Sequence, residues 1–576
     1  VPSPPRSDAP QRASGSRYIA GAGLDLLLFI GTPAIIIPVV MLARGTWATA
    51  QLYLFVASFG ALGHHLPGML RAYGDRGLFG RFRWRFVVAP VFLLASCITL
   101  AFVARSALTL AVLAWGTWHG AMQVHGFARI YDAKAGNTGT WAARLDQALA
   151  LSWFVTVLAW SAGSVTWVLD ALLKSGVPPV SAATVEAVRL ALFAATGAIT
   201  LAWLVRTALT WRRAPPSLLK LALLASALGF FAWANLFFTD RLLAVVLFET
   251  FHDVQYLSIV WLFNRRRAAS DPQAGPFTRL LFRPRALLLV AYVALCFAYG
   301  SLNVVQVKLP QQQLATVLAG VLAASGFLHF YYDGFIWKLR ESDTRAGLGI
   351  AGGAARRGPS ALAPLGHGLK WAALFVLPLA LLAATTTRAL PEEERMLALA
   401  DTLPDDAGAQ VNKAVALERH GDLEGAVAAA RRAHAITSHV DDATRAKATS
   451  TLAQLLSHQA LARAQAGEMR DASALLREAL PLSATAADAL SDKAASQLDA
   501  QDFRGAEASC RLLLSVVPDH GIAHYNLGVA LSRQGKLAEA HVHAMQAVRL
   551  LPDSPEARQL LEALRQRIET VATEGN

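Results

Sequence analysis

Charged residues are scarce in this chain, and cysteine is scarcer still. Only 16% of its 576 residues are Asp, Glu, Lys or Arg, against about a quarter in an ordinary soluble protein. With 54% hydrophobic residues and several uncharged runs of roughly twenty, that shortage excludes a mainly soluble body. The three cysteines, Cys97, Cys296 and Cys510, lie far apart with no CxxC spacing. A disulfide framework and a thiolate metal site are thereby excluded. HExxH is absent, so nothing signals a zinc protease. The opening VPSPPRSDAPQRASGSR has no separate short apolar core of the kind a cleavable signal needs. Residues 1–16 read as a disordered cytoplasmic tail.

What is present is a polytopic membrane protein. About eleven spans are expected by the twenty-residue criterion, near 18–43, 47–70, 86–104, 107–129, 145–171, 187–211, 217–238, 242–264, 286–306, 314–338 and 370–388. The net charge of +13 comes mostly from arginines in every second loop. Arg6, Arg12 and Arg17 precede the first span, and Arg71, Arg76, Arg81, Arg83 and Arg85 follow the second. Arg129, Lys134 and Arg144 come next, then Arg212 and Arg213, then Arg265, Arg266 and Arg267, and last Lys338, Arg340, Arg345, Arg356 and Arg357. The alternate loops hold little beyond single charges such as Arg44, Arg105, Lys174, Arg241 and Lys308. Basic loops stay cytoplasmic, so the pattern predicts a cytoplasmic N-terminus, as in a bacterial inner-membrane protein, and an extracytoplasmic segment after the last span. It assigns the charge to topology, with no nucleic-acid partner.

From residue 391 to 576 the composition turns alanine-rich, charged and periodic. Leu527, Gly528, Gly535, Ala540, Ala547 and Pro552 stand where a tetratricopeptide repeat requires them, and one 34-residue period earlier come Ala506 and Pro518. Gly421, Ala426 and Ala433, then Gly467, Ala472 and Ala479, mark two earlier copies. Residues 404–552 thus resemble about four tetratricopeptide repeats, the first three degenerate. The resemblance implies an α-solenoid with a concave surface for a protein or peptide partner. The expected fold is all-α throughout: a membrane helical bundle over 17–390, then the solenoid.

Chemistry concentrates in the bundle. Six histidines, His64, His65, His119, His125, His252 and His329, sit in otherwise apolar segments with Glu249, Asp253 and Asp333 beside them. Ionisable groups are expensive in hydrocarbon and mark function there. His64 and His65 point about 100° apart on a regular helix, so one site takes both only if it is wide or holds two ions. Gly116, Gly120 and Gly126 are expected to let helices approach His119 and His125 closely. Glu249 and His252 form Glu-x-x-His, the spacing by which helical bundles hold paired iron or manganese, and Asp253 shares their face. His329 and Asp333 are at i and i+4. Every histidine precedes its own basic edge by roughly four to thirteen residues, placing the set in a slab about 15 Å thick. His125 and Asp132, nearer the edge, also suit interfacial anchoring. Trp115, Trp118, Trp337, Tyr331 and Tyr332 suit an aromatic belt.

Imidazole with carboxylate and no thiolate suits iron, zinc, copper or manganese. Six histidines exceed what one catalytic zinc needs, which favours two ions. In ligand type the set resembles the histidine-rich centres of integral-membrane di-iron oxygenases, hydroxylases and desaturases, although their HxxxH, HxxHH and HxHH boxes are missing from the spans. That resemblance implies O2-dependent oxidation of a lipophilic substrate in the membrane lipid, with a cytoplasmic-side electron donor. His64, His65, His119, His125, Glu249, His252, His329 and Asp333 are the expected ligands, and Glu249 and Asp253 the expected catalytic carboxylates. The competing classes are an intramembrane zinc hydrolase of lipids, a haem-b electron-transfer protein, a lipid-linked glycosyltransferase and an assembly scaffold working through its repeats.

Overall fold

The computed structural model describes residues 16–350, 368–369 and 376–574, apart from 138, 214, 239, 271–274, 340, 386–387, 437–439 and 484. The expected tail up to residue 15, Arg340, Arg356, Arg357 and the start of the last expected span lie outside the described residues. The chain divides into two compact units, Val1–Pro391 and Glu392–Asn576, and the regular elements described in both are helices.

In the first unit, α1 (Ala22–Asp25) passes through a π-helical turn into α2 (Pro33–Ala43), and α3 (Thr49–Phe55) through a longer π-helical stretch, Val56–Leu62, into α4 (His65–Gly74). The long helices follow: α5 (Arg76–Val103), α6 (Arg105–Lys134), α7 (Thr140–Trp160), α8 (Ala162–Lys174), α9 (Ala182–Thr210), α10 (Leu218–Phe237) and α11 (Arg241–Ser270). After the short α12 (Pro276–Leu281) come α13 (Ala286–Lys308) and α14 (Gln312–Ile336), then α15 (Ser342–Gly347) and α16 (Leu377–Thr385).

Six helices, α5, α9, α10, α11, α13 and α14, are long and apolar enough to cross a membrane. The number rises to eight if Ala22–Ile30 with Pro33–Ala43, bent by 49°, and α7 with α8, bent by 84°, each count as one span. Three of the eleven expected spans fall outside this set, for different reasons. Residues 47–70 are divided among short helices. α6 is long enough, but His119, Gln123 and His125 dilute its apolar character. Residues 370–388 are described only in part.

Burial sorts the helices. α9 faces almost entirely outward, whereas two thirds of the apolar stretch of α11 is interior. One apolar core gathers Phe127, Phe154, Phe231 and Phe251 from α6, α7, α10 and α11. A second gathers Phe86, Phe327, Tyr332 and Phe335 from α5 and α14. The polar residues of α6, α11 and α14 lie between them.

A charged group buried elsewhere in this unit is fully paired. Lys220 Nζ lies 2.8 Å from Asp132 Oδ2 and 2.6 Å from Asp146 Oδ2, and all three residues are buried. Arg129 and the Trp203 indole also donate to these carboxylates. The network ties α6, α7, α9 and α10 together. It gives Asp132 a structural partner in place of the interfacial anchoring expected of it.

The second unit opens with the helix Glu392–Thr402 and continues in antiparallel helix pairs: Ala407–Arg419 with Leu423–Ala435, Asp442–Gln465 with Met469–Ala479, Ala486–Asp499 with Phe503–Val516, and Gly521–Arg533 with Leu537–Leu550. Pro555–Glu574 follows the last pair. Ala426, Ala472, Ala506 and Ala540 are wholly buried where the paired helices cross, because a larger side chain would hold the helices apart. The turn inside each pair needs a left-handed residue. Gly421, Gly467 and Gly535 supply it at φ 82°, 86° and 78°, and in the third pair Gln501 is forced to φ 61°.

Two outcomes follow. Lys220→Met removes one cation from two buried carboxylates and is expected to cost about 3–5 kcal/mol, measured by denaturant titration of the purified protein in micelles. Gln501→Gly relieves a left-handed non-glycine residue and is expected to stabilise the repeats by about 1 kcal/mol. The second shows as a higher urea midpoint at unchanged slope, read from the repeat transition.

Candidate metal centre

Three imidazoles meet at their Nε2 atoms. His329 Nε2 lies 3.1 Å from His64 Nε2 and 3.1 Å from His119 Nε2. These come from α14, from the residue just before α4, and from α6. His64 Nδ1 lies 3.1 Å from the Gly60 carbonyl oxygen, which can only accept; the proton is thereby assigned to Nδ1 and the lone pair to Nε2. One proton on His329 Nε2 cannot serve both of its short contacts. A cation can, since nitrogens about 2.0–2.1 Å from one ion lie about 3.0–3.4 Å from each other.

A second cluster shares His64 with Glu249, His252 and Asp253 of α11; one ligand atom from each lies within 4.8 Å of the others. The His252 ring is 5.1 Å from those of His64 and His119. Asp253 Oδ1 is 2.7 Å from His64 Nδ1, yet neither Asp253 oxygen makes an aligned hydrogen bond, and both are buried. A buried carboxylate left in that condition costs several kcal/mol. Coordination to a cation would supply what hydrogen bonding does not.

The local backbone explains how adjacent histidines share a site. The π-helical stretch, closed by Gly63 N–H donating to the Ser58 carbonyl, ends in a turn before α4 begins, and from that turn both rings reach His329. The His64 and His65 rings lie 4.7 and 4.8 Å from that of His329. π-Helical insertions are frequent at functional sites. Helix α13 presses this segment into place: a Cβ on Gly300 would be 2.2 Å from the Ser58 carbonyl oxygen, and one on Gly63 would be 2.9 Å from that of Cys296. Gly60 and Gly68 form the cradle itself. Their Cβ atoms would lie 2.0 Å from Asp253 Oδ2 and 2.9 Å from the Tyr256 hydroxyl.

The remaining expected ligands sit around this centre. His65 Nδ1 pairs with Ser325 Oγ at 3.1 Å, and Ser325 with the Tyr299 hydroxyl at 2.7 Å. Asp333 Oδ1 accepts from the Tyr256 hydroxyl at 2.9 Å and the Trp337 indole at 3.1 Å, and Asp333 Oδ2 is 3.9 Å from His329 Nε2. That bond gives Trp337 a partner in the site beyond any belt role. His125 joins neither cluster. Its Nδ1 is buried without a hydrogen-bond partner, and it lines a cavity of about 580 Å³ with His119, Tyr256, Asp333 and Arg129. A second cavity, about 590 Å³, meets the centre at His64, His65, His119, Glu249 and His252. Of the glycines expected to bring helices close, Gly120 alone meets a neighbour, the Phe154 ring at 3.2 Å from its added Cβ; those of Gly116 and Gly126 meet nothing within 4 Å. These two line the cavities instead. Tyr256, Gln123 and Ser325 escape a search for metal-binding types, although Tyr256 lies one turn beyond His252, a spacing that signals a shared face.

Gly60→Ala is expected to displace Asp253 and reduce bound metal at least severalfold, read by elemental analysis of purified protein. Gly229→Ala, whose added Cβ meets nothing within 4 Å, should leave the metal unchanged.

Comparison with known proteins bears on the other unit. The tetratricopeptide repeat family matches residues 387–439 and 491–555, and no curated protein matches the chain. Such repeats generally hold protein partners. The C-terminal region of this chain carries tetratricopeptide repeats.

Proposed function

We propose that this protein is an integral-membrane metalloenzyme with a two-ion, imidazole and carboxylate centre, iron being favoured, that oxidises a lipophilic substrate with O2. The observation that carries this reading is the convergence of His64, His119 and His329 beside Asp253, whose buried oxygens make no aligned hydrogen bond, against a largely apolar cavity. His64, His119 and His329 would hold one ion through their Nε2 atoms, and Glu249, His252 and Asp253 the other. Bound iron supplies the activation of O2 that no side chain provides.

The residues account for the rest of the chemistry. Hydroxylating a C–H bond with O2 takes up two electrons and two protons, places one oxygen on carbon and releases the other as water. The electrons come from a reduced carrier on the cytoplasmic side. Phe154, Phe231, Phe248 and Phe327 line the larger cavity, excluding water and aligning an apolar chain with the centre. Asp333 and Tyr256 lie on the other cavity, where they hold and pass protons. The alternation of arginine-rich loops supports a cytoplasmic N-terminus in a bacterial inner membrane, with the repeats outside holding a protein or peptide partner.

The test is metal content and product formation in two altered proteins. His252→Ala should lose metal and incorporation of labelled oxygen together. Removing residues from about 400 onward should keep the metal, because stacked repeats fold as their own unit. Two irons per chain without a haem absorption band fit the proposal. A single zinc would select a lipid hydrolase, a haem band an electron carrier, and full metal in His252→Ala would place the chemistry elsewhere.

A further inference from the structure

Arg241 begins α11, eight residues before Glu249 and eleven before His252. It is separated along that helix from the arginine-rich end at Arg265, Arg266 and Arg267. Its side chain lines the same 590 Å³ cavity that the histidines close. The guanidinium carbon lies over the Trp167 ring, 3.8 Å from its centroid, and Tyr53 lines the same cavity. Among the described residues no carboxylate forms an ion pair with Arg241. A cation held by an aromatic face keeps its in-plane N–H groups free for a planar anion. The rest of the cavity wall is mostly apolar, Leu158, Phe231 and Phe248 among it, with Ser164 and Asn235 as polar members. Its volume is that of a site for one small molecule.

We propose that this cavity takes a single-chain amphiphile with an anionic head, gripped by Arg241 on Trp167, whose alkyl chain runs along α11 to the histidines. The proposal rests on reading the cavity as the substrate chamber, and it names the substrate class. The helix rise puts Glu249 about 12 Å and His252 about 16 Å from Arg241 along the axis. An extended chain advances about 1.3 Å per carbon, given bonds of about 1.5 Å, so the carbons presented to the centre lie roughly nine to thirteen from the head. Fatty carboxylates and alkyl phosphates share the required chemistry: one anionic head that pairs with a guanidinium, and one flexible chain.

The test is equilibrium binding to the purified full chain in micelles, with radiolabelled palmitate, its methyl ester and hexadecyl phosphate as probes. Saturable binding of palmitate or hexadecyl phosphate near one per chain is expected, and the tighter of the two identifies the head. Arg241→Gln should weaken that binding at least tenfold and leave the weak binding of the ester unchanged. Arg241→Lys, which keeps the charge but loses the planar fork, should recover only part of the affinity. Trp167→Leu should lose severalfold. Equal affinity of wild type and Arg241→Gln for both anions, or an ester that binds as tightly as palmitate, overturns the proposal. Stripping metal from the wild type with a chelator separates this idea from the metal reading, since the stripped protein should bind the anion as before. Arg241-dependent binding by a wild-type protein that holds no metal would keep the amphiphile site and overturn the metal centre. Metal without Arg241-dependent binding would do the reverse.

Discussion

Bringing polar groups out of water dominates the membrane unit, because an unsatisfied ionisable group in that environment costs more than most single contacts return. Two solutions stand side by side. At Lys220 the cost is met internally: one ammonium lies between two carboxylates, with Arg129 and Trp203 completing the set. At His64, His119, His329 and Asp253 the pairing is incomplete: among the described residues, Asp253 lies beside His64 without an aligned hydrogen bond. Short nitrogen–nitrogen contacts and bare carboxylate oxygens remain. The contrast separates a closed ion-pair network that holds helices together from a histidine and carboxylate cluster whose polar atoms are only partly paired.

The helices serve that second arrangement at some expense to their regularity. The segment before α4 adopts π geometry, and glycines at 60, 63, 68 and 300 bring backbone against backbone or against ligand atoms. Helix α13 contributes no ligand, yet it fixes the depth at which His64 sits. Its apolar sequence discloses nothing of this, since the relevant property is the missing side chain of Gly300.

Much of this arrangement was legible in the sequence, and the rest was hidden for identifiable reasons. Histidines in apolar runs stand out by type, and His64, His119, Glu249, His252, Asp253 and His329 come together in space. His125 belongs to the same pattern in sequence but sits apart, because six residues of helix turn it away from His119. Two of the expected spans differ in the structure for the same reason: α6 is diluted by His119, Gln123 and His125, and residues 47–70 are broken into short helices beside His64 and His65. In the repeats, Gly421, Gly467 and Gly535 announce their turns, whereas Gln501 occupies the same left-handed position without the residue that advertises it.

The π-helical stretch Val56–Leu62 has a consequence for how such a centre is encoded. A π turn accommodates one residue more than an α turn closes around, so the bearing of His64 depends on the number of residues before it as well as on their identity. A chain one residue shorter between Phe55 and Gly63 would keep every ligand, every glycine and the same apolar composition. Its His64 would nonetheless swing by about 100° and face another neighbour. The centre is written partly in spacing, and an inventory of its ligands leaves that part unread.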